Sequence, residues 1–345
     1  MSGRLIAGNQ VRIAVSGESD IGECRRTAKR LAEGLDLGEV SAGRAAIVAT
    51  ELATNVVRHA QSGEILVQTI ADGPHAAVEI LALDRGPGMK DVDACMRDGF
   101  STGGTAGHGL GAVSRLSATF DLFSHPEHGT VVMSRVERSA ADHREIRRKA
   151  PSFEFGVVNV ALEGEIECGD TWRISDRGSC ITLMVVDGLG HGSLAADAAR
   201  DAATAFAERP AEAPTATLDH LHRVLAGGRG AAAACAQLRP RDLKIDYAGV
   251  GNISGAVVTA ERSRGMVSHN GTLGVKLIRN QQFEYDWPTG SLVVMHSDGL
   301  SARWNLAVYP GLQTRHPGVV AGVLYRDFVR RRDDATVLVA SFRHD

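Results

Sequence analysis

The chain has 345 residues, of which 43% are hydrophobic and 23% charged, with a net charge of −3. This is ordinary globular composition with length for about two domains, and it excludes a disordered or fibrous chain. The near-neutral balance also removes any global electrostatic case for nucleic acid or an anionic membrane as partner.

The opening twenty residues lack the continuous apolar core of a signal peptide. No apolar run approaches the ~18–20 residues of a membrane span, so the expected location is cytoplasmic. Residues 20–36 follow helical spacing, with Ile21, Cys24, Ala28, Leu31 and Leu35 on one side. Residues 41–60 form a second predicted helix, for which Ser41 is the expected N-cap. Two strands follow at 64–70 and 76–84, joined by the turn ADGPH. A glycine-rich stretch then runs from Asp84 to Gly111, leading into a short helix near 107–117 and strands at 119–125 and 130–136. The five cysteines are scattered and never spaced CxxC, which argues for reduced thiols rather than disulfides or a zinc knuckle.

Residues 138–149 hold no large apolar side chain except Ile146, and Pro151 follows. The expected division is therefore a domain at 1–137, a linker at 138–152 and a second domain at 153–345. The second half opens with strands at 153–162 and 180–187 and continues with helices near 193–208 and 215–226. Further strands are predicted at 233–238, 243–248, 255–260, 291–297 and 336–342, a pattern of stacked sheets flanked by helices.

In the first half, Glu51, Asn55 and Arg58 share one face of helix 41–60, beside an apolar stripe of Ala45, Val48, Ala49, Leu52 and Val56. An acid and an amide in that position can hold a metal ion with its water, although any amphipathic helix shows a polar stripe beside an apolar one. Asp84 ends a strand, where its carboxylate can accept a hydrogen bond from a base amino group. Gly86 and Gly88 follow, and then Gly107, Gly109 and Gly111 open a helix whose backbone N–H groups can reach phosphates. A Rossmann fingerprint would place such glycines directly after the first strand of a βαβ unit, and here they do not stand there.

ELATNVVRHA (51–60), LDRGPGM (83–89) and GHGLGA (107–112) resemble, in order, the N, G1 and G2 boxes of the GHKL ATPase/kinase fold. The segment 98–116 resembles the short lid of the serine kinases and anti-sigma factors, and within that group the switch kinases of the stressosome. The resemblance covers about residues 8–137 and implies a Bergerat α/β sandwich that binds ATP with Mg²⁺. It further implies that Asn55 holds the Mg²⁺, Glu51 is the general base and Asp84 reads adenine. Gly86 and Gly88 would line the adenine site, and Gly107, Gly109 and Gly111 would surround the phosphates. His59 and His108 are read as shaping the pocket or capping the lid.

In the second half, aspartates stand at turns or strand ends: Asp170, Asp187, Asp298 and the Asp333-Asp334 pair. Taken singly, an Asp-Gly pair is a turn former. Taken together, such carboxylates can converge at one sheet edge and be neutralised by divalent cations, and oxygen-only ligands suit Mg²⁺ or Mn²⁺. The ordered set GD (169–170), VVDGLGHG (185–192), YAGVGNISG (247–255), HSDGL (296–300) and DDAT (333–336) resembles the metal-dependent type 2C (PPM) protein phosphatases in their SpoIIE branch. The compact size and ECGDTW resemble the stressosome phosphatases in particular. That resemblance implies an αββα sandwich with two Mn²⁺ or Mg²⁺ ions bridged by Asp187. The Gly188 carbonyl, Asp170, Asp298 and Asp333 would complete the site. Asn252 and Ser254 are read as stabilising a turn. The chain departs from the family in two places. The start of the domain offers no obvious phosphate-binding arginine, and His191 lies farther from Asp187 than the family's general-acid histidine.

The two resemblances together imply an α/β chain with two heads, a Ser/Thr kinase and an opposing metal-dependent phosphatase. The implied partners are STAS-domain antagonist proteins, with a sigma factor or downstream effector as a further partner and oligomerisation left open. The rival reading makes the first domain a nucleotide-dependent module that sequesters a sigma factor or effector, fused to a phosphatase.

Overall fold

The structure is a computed structural model that describes residues 3–96, 109–126, 128–138, 152–210, 212–277 and 279–343. The chain divides into two compact units: Gly8–Ala150, and Met1–Ala7 together with Pro151–Asp345.

Strand β1 (Arg4–Ile6) belongs to the second of these, although the sequence assigned residues 1–137 to a single domain. The first unit then runs β2 (Gln10–Val15), α1 (Glu18–Gly34), α2 (Glu39–Ala60), β3 (Gly63–Ile70), β4 (Ala77–Asp84), α3 (Val92–Met96), α4 (Gly109–Leu116), β5 (Thr119–His125) and β6 (Gly129–Glu137). Its five strands form an antiparallel sheet in the order β2-β3-β4-β6-β5. Helix α2 buries Ala42, Ala45, Val48, Ala49, Leu52, Ala53 and Val56, a 3.6-residue repeat of small and branched side chains that lies flat on the sheet. Helix α1 joins the same core through Cys24, Ala28 and Ala32. Ser41 does not cap α2. The helix starts two residues earlier behind Gly38, and the buried Ser41 hydroxyl donates to the carbonyl of Glu137 at 2.9 Å. The N-terminus of α1 is held instead by Asp20, whose carboxylate accepts from the N–H groups of Ser16 and Gly17.

The second unit contains β7 (Ser152–Val160), β8 (Asp170–Asp176), β9 (Ile181–Gly188), α5 (Ser193–Glu208), α6 (Pro214–Val224), β10 (Ala231–Arg239), β11 (Lys244–Val250), β12 (Ser254–Val258) and β13 (Ser263–Met266). It continues with β14 (Gly271–Thr272), β15 (Lys276–Leu277), β16 (Phe283–Asp286), β17 (Leu292–His296), α7 (Pro317–Phe328) and β18 (Ala335–Arg343). One sheet has the order β1-β8-β9-β10-β11-β16 and the other β13-β12-β17-β18-β7. Helices α5 and α6 cover the first sheet, and α7 covers the second. The result is the αββα sandwich the resemblance implied. Gly156 on β7 lets α7 lie directly on the strand: a β-carbon there would fall 2.1 Å from the α-carbon of Gly318.

β1 pairs antiparallel with β8, with Arg4 opposite Asp176 and Ile6 opposite Ile174. Ile6 is fully buried, and Arg4 is bonded to Asp176 at 2.7 Å. A three-residue strand shows no periodicity of its own, so only its pairing partner reveals which sheet it joins. Among the described residues, no helix is long and apolar enough to cross a membrane.

Candidate active sites

In the first unit, one end of α2 faces the ends of β4 and α4. Glu51 and Asn55 lie one turn apart on α2 and are both half-buried. The N-terminus of α4 comes up against them: a β-carbon at Gly109 would lie 3.6 Å from the Asn55 side-chain oxygen. Asp84 ends β4, and one carboxylate oxygen accepts from Gly86 N at 2.8 Å and Thr130 N at 3.2 Å. That double bond to backbone fixes the carboxylate's orientation. Gly86 packs on the last residue of α2, where any side chain would meet the Ala60 β-carbon at 2.8 Å. Gly88 takes φ +65° under the carbonyl of His125, an approach that only glycine permits. Asp84 and Gly86 are thus tied to the end of α2, and Gly109 on α4 to Asn55 on the same helix. His59 is exposed. Gly107 and His108 lie outside the described residues.

In the second unit, the aspartates converge from both sheets. Asp170 opens β8 and Asp187 is the penultimate residue of β9, directly opposite it in the antiparallel register. Asp298 follows β17, and Asp333-Asp334 precede β18 on the other sheet. Asn252, in the turn between β11 and β12, donates from one amide nitrogen to Asp187 at 3.1 Å and to Asp298 at 2.8 Å. The turn residue of the sequence reading is therefore a bridge between two carboxylates. Ser297 donates to Asp170 at 2.6 Å and accepts from Thr336 N at 3.0 Å. Asn159 completes this buried network with a bond to the Thr336 hydroxyl at 2.7 Å.

The paired aspartates divide their tasks. The two oxygens of Asp334 accept from Leu162 N at 2.7 Å and Gly169 N at 2.8 Å, which pins the loop leading to Asp170. Asp333 faces Asp187 and Asp298 closely enough for their charges to oppose one another. The glycines after Asp187 and Asp298 are required by close approach rather than by turn conformation. A β-carbon at Gly188 would meet the Ala195 carbonyl at 2.4 Å, and one at Gly299 the Asp334 carbonyl at 1.9 Å.

The electrostatics match the crowding. Burial, and then the charges of Asp298 and Asp333, push the Asp187 carboxyl up to about 7. Burial and the neighbouring Asp187 hold Asp170 well above the usual carboxylate range. Asp333 is raised by burial and by Asp298, and Asp334 by burial against its two backbone bonds. Among the described residues, no three His, Cys, Asp or Glu side chains are already closed into a metal-binding cluster. The donor set is nonetheless all oxygen, and its members raise one another's proton affinity, so a hard divalent cation fits them chemically.

Two groups flank the cluster that the sequence left without a role. His191 is hydrogen-bonded through Nδ1 to Glu165 at 2.7 Å and lies within electrostatic reach of Asp333 and Asp334. The exposed Arg229 donates to the Leu189 carbonyl at 3.4 Å, beside the loop that follows Asp187. It comes from the turn before β10, far in sequence from the start of the domain. Proximity in the fold is the only signal that singles it out.

Residues 16–135 match the family model of the histidine kinase-like ATPase domain, and residues 177–343 that of stage II sporulation protein E (SpoIIE). The serine/threonine-protein kinase RsbT of Bacillus subtilis (strain 168) is 35% identical over 126 residues, 36% of this chain and 95% of that protein. A solved structure described as "The bacterial stressosome: a modular system that has been adapted to control secondary messenger signaling" is 30% identical. It covers 55% of this chain and 99% of its own, with a TM-score of 0.51. RsbX in complex with magnesium is 20% identical, covers 56% of this chain and 97% of its own, and has a TM-score of 0.48.

Proposed function

We propose, for a chain that belongs to the family of the serine/threonine-protein kinase RsbT, a bifunctional partner-switching regulator. Its first unit phosphorylates serine or threonine on STAS-domain proteins, and its second unit removes the phosphate. In the first unit, Asn55 holds the Mg²⁺ of ATP and Asp84 accepts the adenine amino group. Gly86 and Gly88 line the base site, and Gly107, Gly109 and Gly111 present backbone N–H groups to the phosphates. Glu51, one turn from Asn55, accepts the proton of the attacking hydroxyl.

In the second unit, Asp187, the Gly188 carbonyl, Asp170, Asp298 and Asp333 would hold two Mg²⁺ or Mn²⁺ ions. Bound there, the ions supply a water of lowered pKa and neutralise phosphoryl charge. Asp334 acts on Asp170 by fixing the backbone of Gly169, and Ser297 orients the Asp170 carboxylate. The observation that carries the reading is the convergence of carboxylates from strand ends of two sheets, with Asp170, Asp187 and Asp298 held by long-range bonds a solvated turn would not need.

The test is to incubate the full chain with the STAS-domain proteins encoded near it, with ATP and Mn²⁺, and to map phosphosites by mass spectrometry. Asp187→Ala should accumulate more phosphorylated partner than wild type, and Glu51→Ala less. A chain that neither phosphorylates any STAS protein nor dephosphorylates one in a metal-dependent way would overturn the assignment.

A further inference from the structure

A cavity of about 470 Å³ opens beside the aspartate cluster of the second unit. That lies within the ~300–1,000 Å³ of sites that enclose a ligand. Asn252 forms part of its wall, and the same amide bridges Asp187 and Asp298. Whatever fills the cavity therefore touches a residue that is itself bonded to two of the carboxylates. The other walls include Ser254 on β12, Ser263 and Gly265 on β13, and Ala302 and Trp304 on the loop after β17. The Trp304 indole is fixed in place by donating to Nε2 of the buried His296 at 3.1 Å.

The chemistry of these walls restricts the occupant. Among the described residues no Asp, Glu, Lys or Arg lines the cavity, and both ring nitrogens of His296 are already bonded within the protein, so the walls offer nothing to pair with a phosphate or another full charge. Its surface combines glycines, alanines and serine hydroxyls with the larger Met266 and Trp304, which leaves room for short side chains and supplies both hydrogen bonds and apolar contact. β13 is also the edge strand of its sheet, and such an edge can pair with an extended peptide. A peptide segment meets all three conditions.

We propose that this cavity takes the uncharged residues flanking the phosphorylated serine or threonine of a protein substrate, and so sets the phosphatase's sequence preference. The inference rests on the phosphatase reading of the aspartate cluster. Asn252 is the hinge of the arrangement, because it ties the chain-binding wall to the carboxylates that act on the phosphate. Peptides with small uncharged flanks should be preferred over peptides with acidic or basic ones.

The test compares a short phosphoserine peptide having alanine and serine flanks with 4-nitrophenyl phosphate, which has no flanking chain. Gly265→Leu is the main variant. Gly265 lines the cavity and a β-carbon there meets nothing within 4 Å, so a side chain can be added to the wall without a backbone clash. Ala302→Leu, on a different element of the lining, guards against a folding defect peculiar to one strand. In both variants the kcat/KM for the peptide, divided by that for the aryl phosphate, should fall about ten-fold, with the loss in KM. A ratio that stays constant in both variants overturns the proposal, as does a wild type indifferent to acidic flanks. A wild type that hydrolyses neither compound would instead refute the phosphatase reading itself, and the two failures are thereby distinguished.

Discussion

Replacing Asp187 by asparagine should stabilise the metal-free protein at pH 8, even though it removes the central carboxylate of the proposed phosphatase site. Burial and the charges of Asp298 and Asp333 raise this carboxyl from 3.8 to about 7 in the folded chain. The folded state therefore holds the proton more tightly than the unfolded state. Stability falls as pH rises from about 4 to about 7, and the full cost persists above that. At ~1.36 kcal/mol per pKa unit, ionising Asp187 in place costs on the order of 4 kcal/mol. For a unit of this size that corresponds to a melting shift on the order of 10 °C. The assay is thermal unfolding of chelator-treated full chain across pH 4–8, taking as the second unit's transition the one that responds to Mn²⁺ in the wild type and following that transition in both proteins. The gap between Asp187→Asn and wild type should open from pH 4 to pH 7 and then stay level. Mn²⁺ should raise the wild-type transition more at pH 8 than at pH 6, since binding must displace a proton, and should barely move the variant. A gap that ignores pH, or a variant that melts below wild type at pH 8 in chelator, would refute the argument.

Asp84→Asn keeps the shape of a carboxylate held by Gly86 N and Thr130 N but removes its charge. ATP affinity should fall by about 1–3 kcal/mol, measured by calorimetry. Glu51→Ala should leave that affinity near wild type while abolishing phosphotransfer, read in a single-turnover assay with labelled ATP. Asn252→Ala leaves Asp187 and Asp298 facing each other without their shared donor. At this exposed site the metal-free second unit should lose about 1 kcal/mol at pH 8, read by melting in chelator. Deleting Met1–Ala7 removes β1 and the buried Ile6 from the edge of β8. The second unit should lose about 1.5–3 kcal/mol for that side chain, seen as a lower melting temperature of the metal-responsive transition.

The local chemistry of both sites was legible in the residues. Helical spacing in 41–60 set Glu51 and Asn55 on one face, and apolar runs ending in Asp84, Asp187 and Asp298 marked strand ends with carboxylates. These are patterns of neighbouring residues, carried by backbone geometry that repeats every few positions. The order of the motifs along the chain was enough to indicate both fold families. Other features depended on contacts between distant segments. Helix α7 is buried all round, so its sequence PGVVAGVLYRDF has no polar face and gave no helical stripe. β1 is too short to have a pattern and is defined by β8, more than 160 residues away. The resemblance assigned Asp333 to the metal site and left Asp334 without a role; that role follows from the Leu162 and Gly169 N–H groups the fold brings to it. Asn252 looked like a turn residue because its local role is a turn. Only the approach of two strand ends from different sheets turns its amide into a bridge, and like-charged carboxylates forced together are what make that bridge worth holding.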